Sequence, residues 1–438
     1  MPDHRAREDL VAGIGRAARP NFIFIVADDL GYADLGCYGG RTANSPNLDR
    51  LASEGVRFIN GYANSSVCSP SRFALATGRW QHRLRGGADE PIHTNDPELG
   101  LPPSHPTIAS LLRDAGYATA LVGKWHLGFP PLYGPLKSGY EQFFGLTGGA
   151  VDYFRHHHHG VHDLYEGEEE VFRDGYMTDL LSDRAVEFIR QERAKPFLLS
   201  LHYTAVHWPW ETRDDRAEAM RIENLFHTDG GSLDTYLTML RQMDEGIGQV
   251  LAAVDEIGAR ENTFIVFTSD NGGERFSDMW PLMGQKMDLL EGGIRVPYIV
   301  RWPARLSAGV IDDQLAIGMD WMATFLAAAG VEAHPDYPLD GIDLMSPPKD
   351  RSLFWRMKFR DQKAVRRGDW KWISIEGNEF LFNLDRDSRE RANMRHREPE
   401  RFEALRAEYL AWEASVPPIP DDARFDLAYT AAEVAKPW

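Results

Sequence analysis

A chain of 438 residues with 48 Lys and Arg against 66 Asp and Glu has a formal net charge of −18. This acidity and the lack of a basic stripe argue against nucleic acid as a partner, because phosphate groups would be repelled. The two cysteines allow one disulfide at most, and no apolar run approaches the roughly 20 residues of a membrane span.

The amino-terminal residues 1–20 mix charges of both signs and lack the apolar run of a secretory signal. We therefore expect a cytoplasmic protein, or a periplasmic one if the amino terminus has been shortened. The length fits one large domain followed by a small one.

Short apolar strands alternate with helical patterns over the first three quarters of the chain. A buried strand at 21–27 ends at Asp28-Asp29, a helix capped by Ser45 runs to Gly55, and another runs from Thr107 to Gly116. Further strands are predicted at 118–122, 197–203 and 263–268, with a candidate at 296–301. This order predicts an α/β fold, with a large, mostly parallel sheet sandwiched by helices.

The pattern changes after about residue 347. Segments 363–365, 370–375 and 379–383 have the alternation of short antiparallel strands. A final helix has one apolar face, formed by Phe402, Leu405, Tyr409 and Trp412. We therefore predict an extension at 1–20, a catalytic α/β domain at 21–347, and a small antiparallel-sheet plus helix domain at 348–438.

Polar residues follow several of the predicted strands. The segments are Asp28-Asp29, Gly123-Lys124-Trp125-His126, the region of His202 and His207, and Ser269-Asp270-Asn271-Gly272-Gly273. In α/β sheets, ligand sites form beyond the carboxyl ends of strands. The acids and the amide are oxygen ligands that suit Ca²⁺ or Mg²⁺. Taken singly, each of these residues could instead cap a helix or form a turn.

A short helix is predicted to begin at Cys68-Ser69-Pro70-Ser71-Arg72 and to end before Gly78. Cys68 would then lie at the helix amino terminus, with Arg72 one turn further along the same face. A cysteine in that place is either a nucleophile of low pKa or a small buried residue.

The run Cys-x-Pro-Ser-Arg, followed by Leu-x-Thr-Gly-Arg, resembles the signature of type I sulfatases, whose cysteine is converted to formylglycine after translation. Further motifs match in order: Asp28-Asp29, Gly123 to Gly128, His207 before Trp208-Pro209, Ser269 to Gly272, and Lys286 ahead of Glu291 to Pro297. The resemblance implies an alkaline-phosphatase-like fold, hydrolysis of sulfate monoesters, and a formylglycine-generating enzyme as maturation partner. Val206 departs from the family, which often has proline before this histidine.

The resemblance also implies a role for each matching residue. A divalent cation, Ca²⁺ rather than Mg²⁺, would be held by Asp28, Asp29, Asp270, Asn271 and the formylglycine formed from Cys68. Lys124 and Arg72 would hold the formylglycine hydroxyls and the acids. Lys124, His207 and Lys286 would bind the sulfate ester, and either His207 or Lys286 would supply a proton to the leaving group. His126 would remove the proton that allows sulfate to be eliminated.

Several alternatives stay open from the sequence. A phosphate or phosphonate ester hydrolase of the same superfamily, or a non-catalytic binder of sulfated glycans, would share much of the pattern. The alcohol could be an aryl group or a sugar, and the oligomeric state is open.

Trp208 and Trp210 could stack on substrate or pack in the core, and Cys37 is expected to be a buried thiol. The run His156 to His159 is expected to be exposed to solvent or to line a substrate cleft, rather than to form a metal site.

Overall fold

The computed structural model describes residues 19–41, 44–93, 98–158 and 160–426. The strands are Asn21–Ala27 (β1), Val56–Phe58 (β2), Gly61–Tyr62 (β3), Ala118–Gly123 (β4), Gln142–Gly145 (β5), His157–His158 (β6), Val161–His162 (β7), Tyr165–Glu166 (β8), Glu169–Glu170 (β9), Phe197–His202 (β10), Thr263–Ser269 (β11), Tyr298–Arg301 (β12), Val310–Asp312 (β13), Ala316–Ile317 (β14), Ser352–Met357 (β15), Gln362–Arg367 (β16), Trp370–Ile375 (β17) and Asn378–Asn383 (β18). The helices are Pro46–Ser53 (α1), Cys68–Thr77 (α2), Ile108–Asp114 (α3), Met177–Arg190 (α4), Arg216–Arg221 (α5), Leu233–Glu256 (α6), Glu291–Ile294 (α7), Asp320–Ala329 (α8) and Pro399–Glu413 (α9).

The centre of the large sheet is parallel, in the order β11-β1-β10-β4-β5. In strand β1, Ile23 and Ile25 pack on one face while Phe22 and Phe24 pack on the other. Helices α1, α4 and α6 cover the first face, and α2, α3 and α8 cover the second. This confirms the predicted α/β fold with a mostly parallel, helix-covered sheet.

The register of the central strands brings their carboxyl ends to one level. Strand β1 pairs with β11 from Asn21 opposite Thr263 to Ala27 opposite Ser269. The residues that follow, Asp28-Asp29 and Asp270-Asn271, are therefore neighbours although they are far apart in sequence.

Towards its edges the sheet contains antiparallel pairs, although the outermost strand β13 pairs with β2 in parallel. The predicted strand at 296–301 is observed at Tyr298–Arg301 and runs antiparallel to β11, because the connection between them returns without a long crossover helix. Strand β2 is also antiparallel to β12, and β8 is antiparallel to β5. Strands β2 and β8 have three and two residues, too few for a periodic pattern to reveal them.

The predicted helix starts differ in how they are capped. Thr107 caps α3 as expected, because its hydroxyl accepts a hydrogen bond from Ser110 N at 3.0 Å. Ser45 precedes α1 but does not cap it through its side chain. Its hydroxyl accepts a hydrogen bond from Gly36 N and donates to Asp49, so it ties the preceding turn to the helix.

A second, antiparallel sheet of order β15-β16-β17-β18 lies near the carboxyl end and packs against α9. Strand β15 was not predicted. The apolar face of α9 is buried as expected, and Trp355 and Trp372 of the sheet share one core with Tyr62 and Val67. The predicted boundary at residue 347 precedes β15, and it stays a prediction. Among the described residues, no helix has the length and apolar character that a membrane crossing requires.

Candidate active site

The two acids that follow β1 form the floor of the site. Asp29 has a positive φ of 59°, which turns the chain sharply after the strand. Backbone bonds from Asp28 N to Ala205 O and from Asp270 N to Ala27 O tie this turn to its neighbours. Both carboxylates are buried.

Cys68 is the first residue of α2 and faces these acids. Its Sγ atom lies 3.6 Å from Asp28 Oδ1 and 3.9 Å from Asp29 Oδ1. Burial raises the pKa of the Cys68 thiol well above its ordinary value, against the smaller opposing effects of Lys124 and Lys286. The unmodified cysteine is therefore a protonated, weak nucleophile in this setting.

Each acid of the site is paired with one cation. Lys124 Nζ lies 2.7 Å from Asp28 Oδ2, and Lys286 Nζ lies 2.7 Å from Asp29 Oδ2. The Arg72 guanidinium donates to Asp270 Oδ2 at 2.9 Å. Arg72 also donates to the Lys124 carbonyl at 3.0 Å, which links α2 to the end of β4.

The oxygen atoms of Asp28 and Asp29 fit a hard divalent cation. Among the described residues, Asp28, Asp29, Cys68 and His207 offer ligand atoms that all lie within 4.8 Å of one another. The pKa of the Asp28 carboxyl is raised to about 7, mainly by burial and, after the opposing effect of Lys124, by the nearby Asp270. The ionised form of the Asp28 carboxyl is therefore costly in the folded protein even beside Lys124, and a bound cation would relieve that cost.

Asn271 provides a second indication of a cation. Its Nδ2 atom donates to Asp29 Oδ1 at 2.7 Å, while its Oδ1 atom is buried and has no hydrogen-bond partner in the described part of the chain. An unpaired, buried amide oxygen is costly unless a ligand meets it. Asp270, another predicted ligand, uses its Oδ2 atom to bind Arg72. Its Oδ1 atom accepts a hydrogen bond from Asp29 N at 3.4 Å.

His207 and Lys286 meet beside Asp29, the second of the two acids. The His207 Nδ1–H donates to the Trp208 carbonyl at 2.8 Å, so Nε2 carries the lone pair that accepts from Lys286 Nζ at 3.2 Å. Burial, with the positive charges of Lys286 and Lys124, lowers the pKa of His207 well below its ordinary value. Lys286, whose pKa is raised well above its ordinary value despite burial because of Asp29, is the cation of this pair.

His126 follows β4 and has a positive φ of 57°. Its Nε2 faces the Ile92 carbonyl at 3.2 Å and therefore carries the proton, while Nδ1 is buried without a partner among the described residues. Burial, with the charges of Lys124 and Arg72, lowers the pKa of His126 well below its ordinary value. A neutral imidazole with a free lone pair can act as a base.

Some residues that shape the site gave no signal in the sequence. The Ile92 partner of His126 is a backbone carbonyl, which no residue pattern reveals. Tyr153 donates its hydroxyl to the Thr204 and His207 carbonyls and so fixes the His207 loop. His202, by contrast, was expected near the site from the sequence, and the structure places its Nδ1 atom 3.4 Å from the Arg72 guanidinium.

The structure places the two tryptophans, the histidine run and Cys37, each of which had two interpretations from the sequence. Trp210 is buried against Phe276, so it packs in the core, and Trp208 lies against His207 with ring centres 4.1 Å apart. His156 is buried, His157 and His158 are half-buried, and His159 lies outside the described residues. Cys37 is half-buried and unpaired with Cys68, since both cysteines are free.

Comparison with known proteins gives consistent results. The family model described as Sulfatase matches residues 20–331. The N-acetylgalactosamine-6-sulfatase of Rattus norvegicus is 32% identical over 416 residues, which are 85% of this chain and 75% of that protein.

Solved structures share the architecture. The crystal structure of Ps i-CgsB in complex with k-i-k-neocarrahexaose has a TM-score of 0.83 and 31% identity, covering 91% of this chain and 94% of that one. The phosphonate monoester hydrolase of Agrobacterium radiobacter has a TM-score of 0.65 and 20% identity, covering 91% and 96%, and that likeness shows the fold alone.

Proposed function

The chain belongs to the sulfatase family and hydrolyses sulfate esters, and from this premise we propose that its substrates are sulfated carbohydrates. Relatives named for sulfated sugars support this class, as does the solved neighbour that holds an oligosaccharide. The observation that carries the reaction is the grouping of Lys286 and His207 beside Cys68 and the paired acids, because it places the Lys286 ammonium, a charged hydrogen-bond donor, where it can meet an anionic ester bound at residue 68.

We propose Ca²⁺ as the resident cation. Ca²⁺ takes about 6 to 8 oxygen ligands, whereas Mg²⁺ usually keeps several waters. Asp28, Asp29 and Asn271 are all buried, so the site offers protein oxygens and little water. The donor chemistry therefore favours the larger ion.

We propose that residue 68 works as formylglycine, made by a formylglycine-generating enzyme. The raised pKa of the Cys68 thiol supports this, since the unmodified side chain would be a poor nucleophile at neutral pH. The bound cation and the formylglycine would together supply an activated hydroxyl for attack on sulfur.

The remaining roles belong to the chain's own side chains. Lys124 and Arg72 would hold Asp28 and Asp270 in place while Lys124 also faces the sulfate. Lys286 would donate a proton to the oxygen that leaves, because its partner His207 presents a lone pair and not a proton. Nδ1 of His126 is the atom available to accept a proton when sulfate departs.

Turnover of a matched substrate panel tests this function. Enzyme co-expressed with a formylglycine-generating enzyme should cleave 6-sulfated N-acetylgalactosamine and k-i-k-neocarrahexaose with a higher kcat/KM than 4-nitrophenyl sulfate. It should cleave 4-nitrophenyl phosphate with the lowest kcat/KM of the panel. A preference for phosphate or phosphonate would support the alternative hydrolase. Binding of the sugars without turnover would support a non-catalytic glycan binder.

A further inference from the structure

The carboxyl-terminal sheet forms hydrogen bonds with the segment that carries Lys286. We define the Lys286 segment as residues 286–291, which connect the site to helix α7. Gln362, the first residue of β16, is fully buried against this segment. Its Nε2 atom donates to the Met287 carbonyl at 2.8 Å, and its Oε1 atom accepts from Leu289 N at 2.9 Å. One side chain thus binds the backbone on both sides of Asp288.

The backbone beside Lys286 needs such support. Met287 has a positive φ of 76°, a conformation that a residue with a side chain keeps only when its surroundings enforce it. On its amino side, Lys286 N donates to Gly273 O at 2.9 Å and Met287 N donates to Ser66 O at 3.0 Å. Gln362 supplies the matching restraint on the carboxyl side.

Two further residues of the carboxyl-terminal part fix the end of the segment. Glu390 accepts from Glu291 N at 2.6 Å, and Lys371 Nζ bridges the Glu291 and Glu390 carboxylates at 3.0 and 2.9 Å. All three side chains are buried. Residues of the carboxyl-terminal part therefore hold the segment at Met287 and Leu289 and at its carboxyl end, Glu291.

We propose that Gln362 is a positioning residue for Lys286, and that the carboxyl-terminal sheet thereby sets the placement of the leaving-group side of the site. The second amide hydrogen of Gln362 is also used, in a bond to Phe359 O at 3.1 Å, so the side chain cannot swing away without losing several bonds. This inference rests on the proposed function, in which Lys286 protonates the departing oxygen.

Leaving-group dependence tests the inference. In formylglycine-loaded enzyme, Lys286→Ala should lower kcat/KM by on the order of 10² to 10³, and more for esters whose alcohols have a high pKa. Gln362→Met keeps the shape of the side chain and removes its polar atoms. It should show the same leaving-group trend with a smaller loss, about 10 to 10², as expected for a misplaced group.

A double-mutant cycle separates positioning from general loss of structure. In the Lys286→Ala background, Gln362→Met should add no more than about a 2-fold further loss, because the residue it positions is gone. Gln242→Met is the matched control, since Gln242 is also buried and its Oε1 accepts from a loop backbone, Arg213 N at 3.1 Å. It should leave the leaving-group trend unchanged.

Three results would overturn the inference, and they separate its failure from failure of the proposed function. If the fall in kcat/KM of the double variant equals the product of the two single falls, or if Gln362→Met lowers kcat/KM equally for all esters, Gln362 does not position Lys286. Either result would leave the proposed function of Lys286 in place. A Lys286→Ala variant with the wild-type trend would exclude the role of Lys286 in the proposed function, and the inference with it. Gln362→Asn, whose shorter side chain cannot reach both Met287 O and Leu289 N, serves with the same expectations if Gln362→Met does not fold.

Discussion

At the scale of single residues, the amide of Asn271 is the sharpest indicator of the cation. Its buried Oδ1 lacks a partner among the described residues, so Asn271→Ala should remove a ligand and leave the fold intact. We expect Ca²⁺ affinity to fall by more than the roughly 10- to 100-fold typical of residues that only orient a ligand. Competition with a fluorescent chelator measures this directly.

Ser269→Ala is the matched control for that variant. Ser269 Oγ donates to the Asn271 carbonyl at 2.9 Å and so orients the loop without offering the ion an atom in the proposed set. It should weaken binding less than Asn271→Ala. Equal Ca²⁺ affinity of wild type and Asn271→Ala would remove Asn271 from the site.

Glu211 is a second buried residue with a measurable consequence. Its Oε2 accepts from Tyr153 N at 2.8 Å, its Oε1 has no partner in the described residues, and burial raises the pKa of this carboxyl to about 8 from 4.5. The folded protein thus prefers the protonated acid. The contribution of Glu211 to the free energy of unfolding is therefore fully present below about pH 4.5 and is lost as the pH rises through about 8.

Glu211→Gln should therefore change the pH dependence of stability. The neutral amide keeps an acceptor for Tyr153 N and carries no buried charge. The free energy of unfolding of the variant, relative to that of wild type, should therefore rise by on the order of a few kcal/mol between about pH 5 and about pH 8. Urea unfolding at the two pH values measures the difference. A difference that does not grow with pH contradicts the prediction.

At the scale of elements, the end of β4 depends on close backbone approach. Gly123 has a φ of 116°, and a Cβ there would lie 1.8 Å from the His202 carbonyl oxygen of the neighbouring strand. Lys124 and His126 follow immediately. Only glycine lets β4 and β10 stay paired up to the residues of the site.

Gly123→Ala should both destabilise the protein and displace Lys124. We expect a loss of about 3 kcal/mol or more, because a strained φ and overpacking combine, together with a large fall in kcat/KM. Gly116→Ala is the control: its φ is 93°, but no described atom lies within 4 Å of the added Cβ. It should cost about 1 to 2 kcal/mol and leave kcat/KM nearly unchanged. Similar effects of both variants on kcat/KM would contradict the argument.

The elements differ in how well the sequence predicts them. Strands β1, β4, β10 and β11 are buried on both faces, so continuous apolar runs reveal them. The edge strands are short, and β12 became antiparallel through a connection whose path depends on tertiary contacts. Side chains in recognisable motifs could be proposed as site residues. The Ile92 carbonyl and Gln362 could not, because their importance comes from packing between distant segments.

At the scale of the whole molecule, the two sheets form one packed body. Trp355 of β15 donates from Nε1 to the Ala63 carbonyl at 2.8 Å, five residues before Cys68, and the core around it includes Val67 and Ala74. The carboxyl-terminal sheet therefore supports helix α2 directly, as well as the Lys286 segment.

Cation binding should stabilise this whole body. Ca²⁺ at about 100 times its Kd should add about 2.7 kcal/mol to the free energy of unfolding, since it neutralises the buried acids. Calorimetry of chelated and Ca²⁺-loaded protein should show one transition that moves to a higher Tm with Ca²⁺. The same Tm in both samples would contradict a site at Asp28 and Asp29, and Mg²⁺ should give a smaller shift.

The mass of the peptide that contains residue 68 tests the central claim most directly. Protein should be produced with and without a formylglycine-generating enzyme, digested, and compared with the sulfate ester activity of each sample. The account predicts formylglycine at residue 68 in the active sample and cysteine in the inactive one, with activity proportional to the modified fraction. Full activity from protein that carries only the unmodified thiol at residue 68 would contradict it.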